Sequence, residues 1–282
     1  MTSPFASETP SPAAPLQISK KMLQALAPLP AVAVQMLAML DDPHVTLKRI
    51  AEVAGRDVGI ASAILRMANS AMLGMRGRVG GISDALRLIG TSQARLIVLT
   101  CGVAQLGQKE LRMYGLASGS FMRHSEIVAT LTMAIAREMH YAETGVAYSA
   151  GLLHDVGKVI INGMGVQAGM SSPEYEEFTS ATQTLGADML ATERACFGYD
   201  HPAVGRELAA LWALPPEIGD AILQHHTKLA SGEPGLSDFV SLANAVAGEV
   251  DPQYPAWHHV PVPEHPIVPV EPLIVMSNEL LK

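Results

Sequence analysis

A histidine and an aspartate stand side by side in "AGLLHDVGKVIIN", residues 150–162, where Leu152, Leu153, Val156, Val159, Ile160 and Ile161 are all core-forming types. Burying a carboxylate is costly unless a counter-charge, hydrogen bonds or an ion compensate it. His154 and Asp155 therefore either face solvent from a helix end or look into a cavity where a metal or partner waits. Further histidines follow in the same half of the chain: His124 in "MRHSEIVATL", His201 opening "HPAVGRELAALW", and His225 with His226 closing "EIGDAILQHH". A single histidine on an apolar helix face is most often a core residue bonded to a backbone carbonyl. Five of them in one half, with an aspartate among them, shift the balance. Neutral imidazoles and a carboxylate suit a divalent transition metal, and helices aimed at a common centre can supply them without a local spacing motif.

Two other groups of residues could do chemistry. Lys158 follows Asp155 by three residues, a helical spacing that lets it reach that carboxylate or a substrate phosphate; otherwise it is a solvated surface lysine. Arg76, Arg78, Arg87 and Arg95 crowd "RGRVGGISDALRLIGTSQAR" and are candidates for an acidic partner, although arginines on helices usually pair with nearby acids. No helix-turn-helix signature accompanies them, so DNA recognition is disfavoured.

The elements that must position these residues read as helices throughout. "LPAVAVQMLAML" opens at Pro30, which suits a first helical turn. "TLKRIAEVAG" begins on Thr46 and stops at Gly55, and "DVGIASAILRMANSA" begins on Asp57, signals of N-caps and a C-terminal glycine. "SDALRLIG" and "TSQARLIVLTCGVAQLG" are expected as separate helices capped by Ser83 and Thr91. The remaining segments, from "SFMRHSEIVATLTMAIAREM" to "SDFVSLANAVAGEV", carry apolar residues at spacings of three and four. No alternating β-branched run flanked by hairpin turns interrupts them. Residues 1–17, rich in Ser, Pro and Thr, are expected to form a flexible tail. Asp251 to about Pro272 is proline-dense and expected to be extended, with "LIVMSNELLK" a closing helix. The fold class is all-α.

Bulk properties fit this reading. The 282 residues are 49% hydrophobic with only 5% aromatic and 15 Met, a composition for helices packed through Ala, Leu, Val and Met. Cys101 and Cys196 form no CxxC pattern, which argues against a disulfide scaffold or a zinc ribbon. The first residues lack a basic segment followed by an apolar one, and no apolar run approaches the roughly 20 residues of a membrane span. A cytoplasmic location with no membrane contact is the expectation. The net charge of −8 is uneven: residues 20–123 carry +7, residues 124–282 carry −14, and nine of the ten histidines follow residue 123. Two lobes with different chemistry are implied. The opposite charges either hold the lobes to each other or leave the basic lobe for an acidic partner.

The order His124, His154-Asp155 and a downstream polar residue in "SLANAVA" resembles the HD superfamily of metal-dependent phosphohydrolases. The blocks "APLPAVAVQMLAMLDDP", "AILRMANSAMLG", "ISDALRLIGTSQARLIVL", "AGLLHDVGKVI", "DHPAVGRELAALWALPPEI" and "AILQHHT" are together similar to the HDOD family, bacterial HD-related output domains. That resemblance implies a helical lobe over residues 18–117 and a degenerate HD lobe over 118–250, joined as one HDOD domain, with 251–282 a tail. It implies metal ligands at His124, His154, Asp155 and Asn244, with His201, His225 and His226 as additional candidates. The ion would be divalent, with Fe, Mn, Mg, Zn and Ni equally admissible. Asn244 stands where the hydrolases place their last aspartate, so the site has lost one anionic ligand and with it some hold on the ion. The expected role is a signal-output module working through a signalling protein or a small nucleotide ligand. The alternative is a metal-dependent phosphohydrolase or phosphodiesterase acting on nucleotides. No separate sensor is expected in this length, so input would arrive from another protein or a small ligand.

Overall fold

A computed structural model describes residues 23, 29–40, 42–69, 79–168, 173–182, 188–227, 233–251, 261–263 and 266–281. Among them helices dominate; the sole strand-like feature is an isolated antiparallel bridge between Leu111 and Leu116. The first-half helices are α1 (Ala31–Leu40), α2 (Leu47–Ala54), α3 (Val58–Ala68) and α4 (Ile82–Gly107). A 3₁₀ turn, Arg112–Tyr114, leads to α5 (Ser120–Glu138), α6 (Thr144–Leu153), α7 (Gly157–Ala168), α8 (Pro173–Thr182) and α9 (Met189–Phe197). Then come α10 (His201–Leu211), α11 (Pro216–Gln224), α12 (Leu236–Val250) and α13 (Glu271–Leu280).

Local chemistry explains several of the helix starts. The side chains of Thr46, Asp57, Asp188 and Asp200 accept hydrogen bonds from the backbone N–H groups of Arg49, Ile60, Ala191 and Ala203, capping α2, α3, α9 and α10. Three expectations need correction. Pro30 lies just outside α1 and lends its carbonyl to the Val34 N–H. Gly55 keeps a right-handed φ of −64°, because the chain runs almost directly into the Asp57 cap without reversing. Ser83 and Thr91 cap nothing: α4 already begins at Ile82, with the Gly81 carbonyl accepting from Ala85, while the two expected helices are both present within α4 and meet at Gly90, whose backbone is not helical. Gly90 has φ +78°, a conformation open to glycine at no steric cost. The tail expected to be extended ends in α13, and its residues 252–260 lie outside the described residues, as do residues 1–17.

The buried apolar side chains form two clusters. One, from Ala33 to Val98, is built on α1 to α4 and includes Ile50, Ile60, Ile64, Leu86 and Val98. The other takes Leu96, Leu99 and Val103 from α4 and continues through Phe121, Leu131, Leu153, Ile160, Leu208, Ile222 and Leu242. α4 thus presents Ala94, Ile97 and Val98 to one core and Leu96, Leu99 and Val103 to the other. Around the histidines, glycines permit close helix approach. A Cβ on Gly157 would sit 2.0 Å from the carbonyl oxygen of His201 and 2.9 Å from the Gly205 nitrogen. A Cβ on Gly151 would sit 2.8 Å from the Ala129 Cα.

This packing yields a test. Gly157→Ala forces backbone apart and should cost about 3 kcal/mol or more in urea unfolding. Gly219→Ala, whose Cβ meets only Arg206 and Ala209 side chains at 3.6 and 3.8 Å, should be neutral or stabilising by up to about 1 kcal/mol. Equal effects of the two changes would contradict the contact at Gly157.

Candidate metal centre

Three structural devices gather the polar residues. α5 brings His124 inward on its first turns. The chain turn after α6 holds His154 and Asp155, and α7 follows at once, so Lys158 lies one turn from Asp155. His201 opens α10, while α11 ends at Gln224 and leaves His225 and His226 in the turn beyond it. His154, Asp155, His201 and His225 are 0–1% exposed, which removes the solvent-facing alternative for the doublet. Lys158 is 2% exposed, so the surface-lysine alternative falls as well.

The hydrogen bonds decide where each imidazole keeps its lone pair. His154 Nδ1 lies 2.7 Å from the Gly151 carbonyl and His225 Nδ1 2.6 Å from the Ile222 carbonyl. A carbonyl can only accept, so both Nδ1 atoms carry hydrogen and both Nε2 atoms are left toward the interior. His201 Nδ1 sits 2.8 Å from both oxygens of Glu193, which fixes it in the same way. The Nε2 of His201 is then 3.1 Å from Asp155 Oδ1, 3.3 Å from His225 Nε2 and 3.0 Å from His226 Nε2. His225 Nε2 lies 3.4 Å from the same oxygen. Three imidazole nitrogens and one carboxylate oxygen therefore face a common point.

The other oxygen of Asp155 serves a different set. Lys158 Nζ donates to Oδ2 at 2.5 Å, and His154 Nε2 is 3.3 Å from it. His124 Nε2 is 3.0 Å from the amide oxygen of Asn244 and donates to it in that orientation. Asp155, His201, His225 and His226 thus form one group able to hold an ion, and His124, His154 and Asp155 another, with the ligand atoms of each within 4.8 Å of one another. Asp155 belongs to both.

Burial and charge set the protonation states. Burial pulls His124 and His226 well below the ordinary imidazole range and His225 down to about 3, with neighbouring positive groups adding to the effect. Burial also opposes a charge on His201, but the adjoining Glu193 and Asp155 carboxylates overcome it and raise its pKa. Burial likewise opposes ionised Asp155, yet the adjoining His154, Lys158 and His201 side chains hold it well below the carboxylate range.

Glu193 escaped the reading of the sequence. It is fully buried and accepts from the Tyr114 hydroxyl at 2.7 Å, the His201 backbone N–H at 2.6 Å and the His201 ring. Tyr114 comes from the 3₁₀ turn and is packed edge-on against Phe178 of α8. In "DMLATERACFG" Glu193 looks like one more charge on a short amphipathic helix; its one signal is its place eight residues before the histidine of a "DHP" turn. The arginines lie elsewhere. Arg76 and Arg78 fall outside the described residues. Arg87 pairs with Asp84 at 3.2 Å on the exposed face of α4, and Arg95 reaches across to the Trp212 carbonyl at 3.4 Å.

A sequence profile of the HDOD domain matches residues 26–228, well over half of the chain. The chain belongs to the HDOD family. An uncharacterised protein of Treponema pallidum (strain Nichols) is 24% identical over 204 residues, which are 70% of this chain but 37% of that longer protein. Crystal structures agree on the fold. A protein from Shewanella amazonensis SB2B, provisionally described as a metal-dependent phosphohydrolase, superposes with a TM-score of 0.57 at 21% identity, over 82% of this chain and 81% of that one. An HDOD domain protein of unknown function from Geobacter sulfurreducens gives 0.50 at 24% identity, over 92% and 89%. A protein from Marinobacter aquaeolei VT8, provisionally described as acting in signal transduction, gives 0.56 at 18% identity, over 95% and 60%. No helix among the described residues is long and apolar enough to cross a membrane.

The protonation pattern predicts how stability varies with pH. His124, His225 and His226 stay neutral when folded but take up protons near pH 6.5 when unfolded. Below that pH the unfolded chain binds more protons, so stability must fall as pH falls, by up to about 1.4 kcal/mol per pH unit for each histidine. The raised His201 acts the other way: its contribution is complete below about pH 6.5 and is lost as pH rises through its folded value. Urea unfolding in EDTA at about pH 7 and about pH 5.5 should show a clear loss at the lower pH. An unchanged or higher stability there would contradict neutral burial of the three rings.

Proposed function

We propose that this chain is a signal-output module whose buried centre takes one divalent transition metal on His201, His225, His226 and Asp155 Oδ1, and that occupancy is read out through conformation. The observation that carries this reading is the convergence of three Nε2 atoms on one carboxylate oxygen, with the His201 and His225 rings held from behind by Glu193 and a backbone carbonyl. Such outer partners orient ligands and raise their basicity. Nitrogen donors at this number favour a transition ion over Mg²⁺, which prefers oxygen. Fe, Mn, Zn and Ni remain equal candidates on this donor set.

The HD half of the centre supports the output role. The Lys158 ammonium holds Asp155 Oδ2, and Asn244, neutral where a carboxylate would be, is bonded to His124. The first contact engages Asp155 Oδ2 and the second His124 Nε2. The site is also closed: His226, half-buried, is the most exposed of its four candidate ligands. An anionic ligand entering past His226 would match the positive charge of the bound ion; a small nucleotide fits that requirement. The phosphohydrolase alternative draws on Asp155 lying in both groups, as a bridging carboxylate does in two-metal hydrolases. When bound, the ion would supply Lewis acidity and an acidified water.

Protein purified without chelator should carry about one transition ion per chain by elemental analysis. Glu193→Gln should weaken its binding by about 10–100-fold, the usual effect of losing an outer partner, and His225→Ala should abolish it. Turnover of cyclic dinucleotides or generic phosphodiesters should stay at background. Hydrolysis by the wild type that His154→Ala abolishes would replace the output reading with the enzyme. If wild type is inactive and Asn244→Asp gains activity, the lost carboxylate is the reason for the inactivity.

A further inference from the structure

A cleft of about 420 Å³ opens between α3 and α4 on one side and α5 and α6 on the other. That volume falls in the roughly 300–1,000 Å³ range of sites that take small organic ligands. Its apolar surface comes from Met67, Leu96, Ile97 and Met133, and its charged groups are Arg66, Arg137 and Glu126. Arg66, in the last turn of α3, makes no ion pair or hydrogen bond among the described residues. It nevertheless lies near enough to act electrostatically on Cys101 and Tyr148, and Glu126 acts on Tyr148 as well. Arg66 and Glu126 thus share one end of the cleft without pairing. Burial pushes the Cys101 thiol up to about 11 and raises Tyr148 and Glu126, which marks the cleft as poorly hydrated.

We propose that this cleft binds an amphipathic organic anion, with its acidic group on Arg66 and its apolar body on Met67, Leu96, Ile97 and Met133. The lining carries two exposed guanidinium groups, Arg66 and Arg137, against one carboxylate, which favours an anion over a cation. A hydroxyl or N–H beside the acidic group of the ligand satisfies Glu126. The cleft touches both halves of the molecule, so its occupant bears on how they sit together. Two of its helices also lead into the histidine centre: Glu126 is two residues from His124 on α5, and Ser149 on α6 is five residues before His154. The binding itself does not depend on the metal reading, and the test uses EDTA-treated full-length protein so that the two stand or fall separately.

The probe is 1-anilinonaphthalene-8-sulfonate, an aromatic body with one sulfonate, titrated by calorimetry and fluorescence. One saturable site per chain is expected. Arg66→Gln, at an exposed position, should weaken it by about tenfold, and Ala104→Trp, which fills the cleft from α4, should abolish it, both with the urea midpoint retained. Decanoate should displace the probe, whereas decylammonium should not. Absence of a saturable site, equal affinity in wild type and Arg66→Gln, or equal displacement by decylammonium overturns the proposal. If Ala104→Trp fails to fold, the Arg66→Gln and decylammonium results still decide it.

Discussion

The Asp155 carboxylate is the charge around which the second half of the molecule is arranged. Fully desolvated, it would be untenable alone, and its neighbours are explained by that need. Lys158 reaches it from the next turn on Oδ2, and His201 reaches it from α10 on Oδ1. The His201 contact brings α7 and α10 almost to backbone contact, which is why glycine stands at 157 and 205. His201 in turn needs Glu193 behind it, and Glu193 needs Tyr114. One buried carboxylate thus recruits a second.

How much of this was legible depends on the range of the interaction involved. Caps at Thr46, Asp57 and Asp200 involve groups three residues apart, so residue type alone revealed them or could have. The all-α class followed from the apolar spacing, and the HDOD resemblance from blocks running along most of the chain. Gly90 marked the boundary between the two expected helices, and there the backbone leaves the helical range and lets the second helix start at once.

The centre was partly legible for the same reason. Histidines and an Asp crowded into one half can be counted, whereas the direction in which each ring faces cannot. Emphasis on His124, His154, Asp155 and Asn244 followed from the family pattern; the structure brings ligand atoms of the first three within 4.8 Å of one another and bonds His124 to Asn244. Lys158 looked equally suited to water because its burial is decided by α10 and the 3₁₀ turn, both distant in sequence. Glu193 was invisible because a carboxylate on a short amphipathic helix gives no sign of whether it faces solvent or a histidine.

α4 contributes one row of side chains to each of the two hydrophobic clusters, and this has a consequence for descent. In a protein whose halves meet only at their surfaces, recombination can swap one half for a relative's and keep the other intact. Here a crossover on either side of α4 brings in a helix whose far face was shaped by a different neighbour. Ile97 and Val98 answer to one set of contacts, and Leu96 and Leu99 to another, within a single turn. The halves are therefore bound to drift together, each substitution on α4 constrained from two sides, and the chain is inherited as one unit despite its two cores.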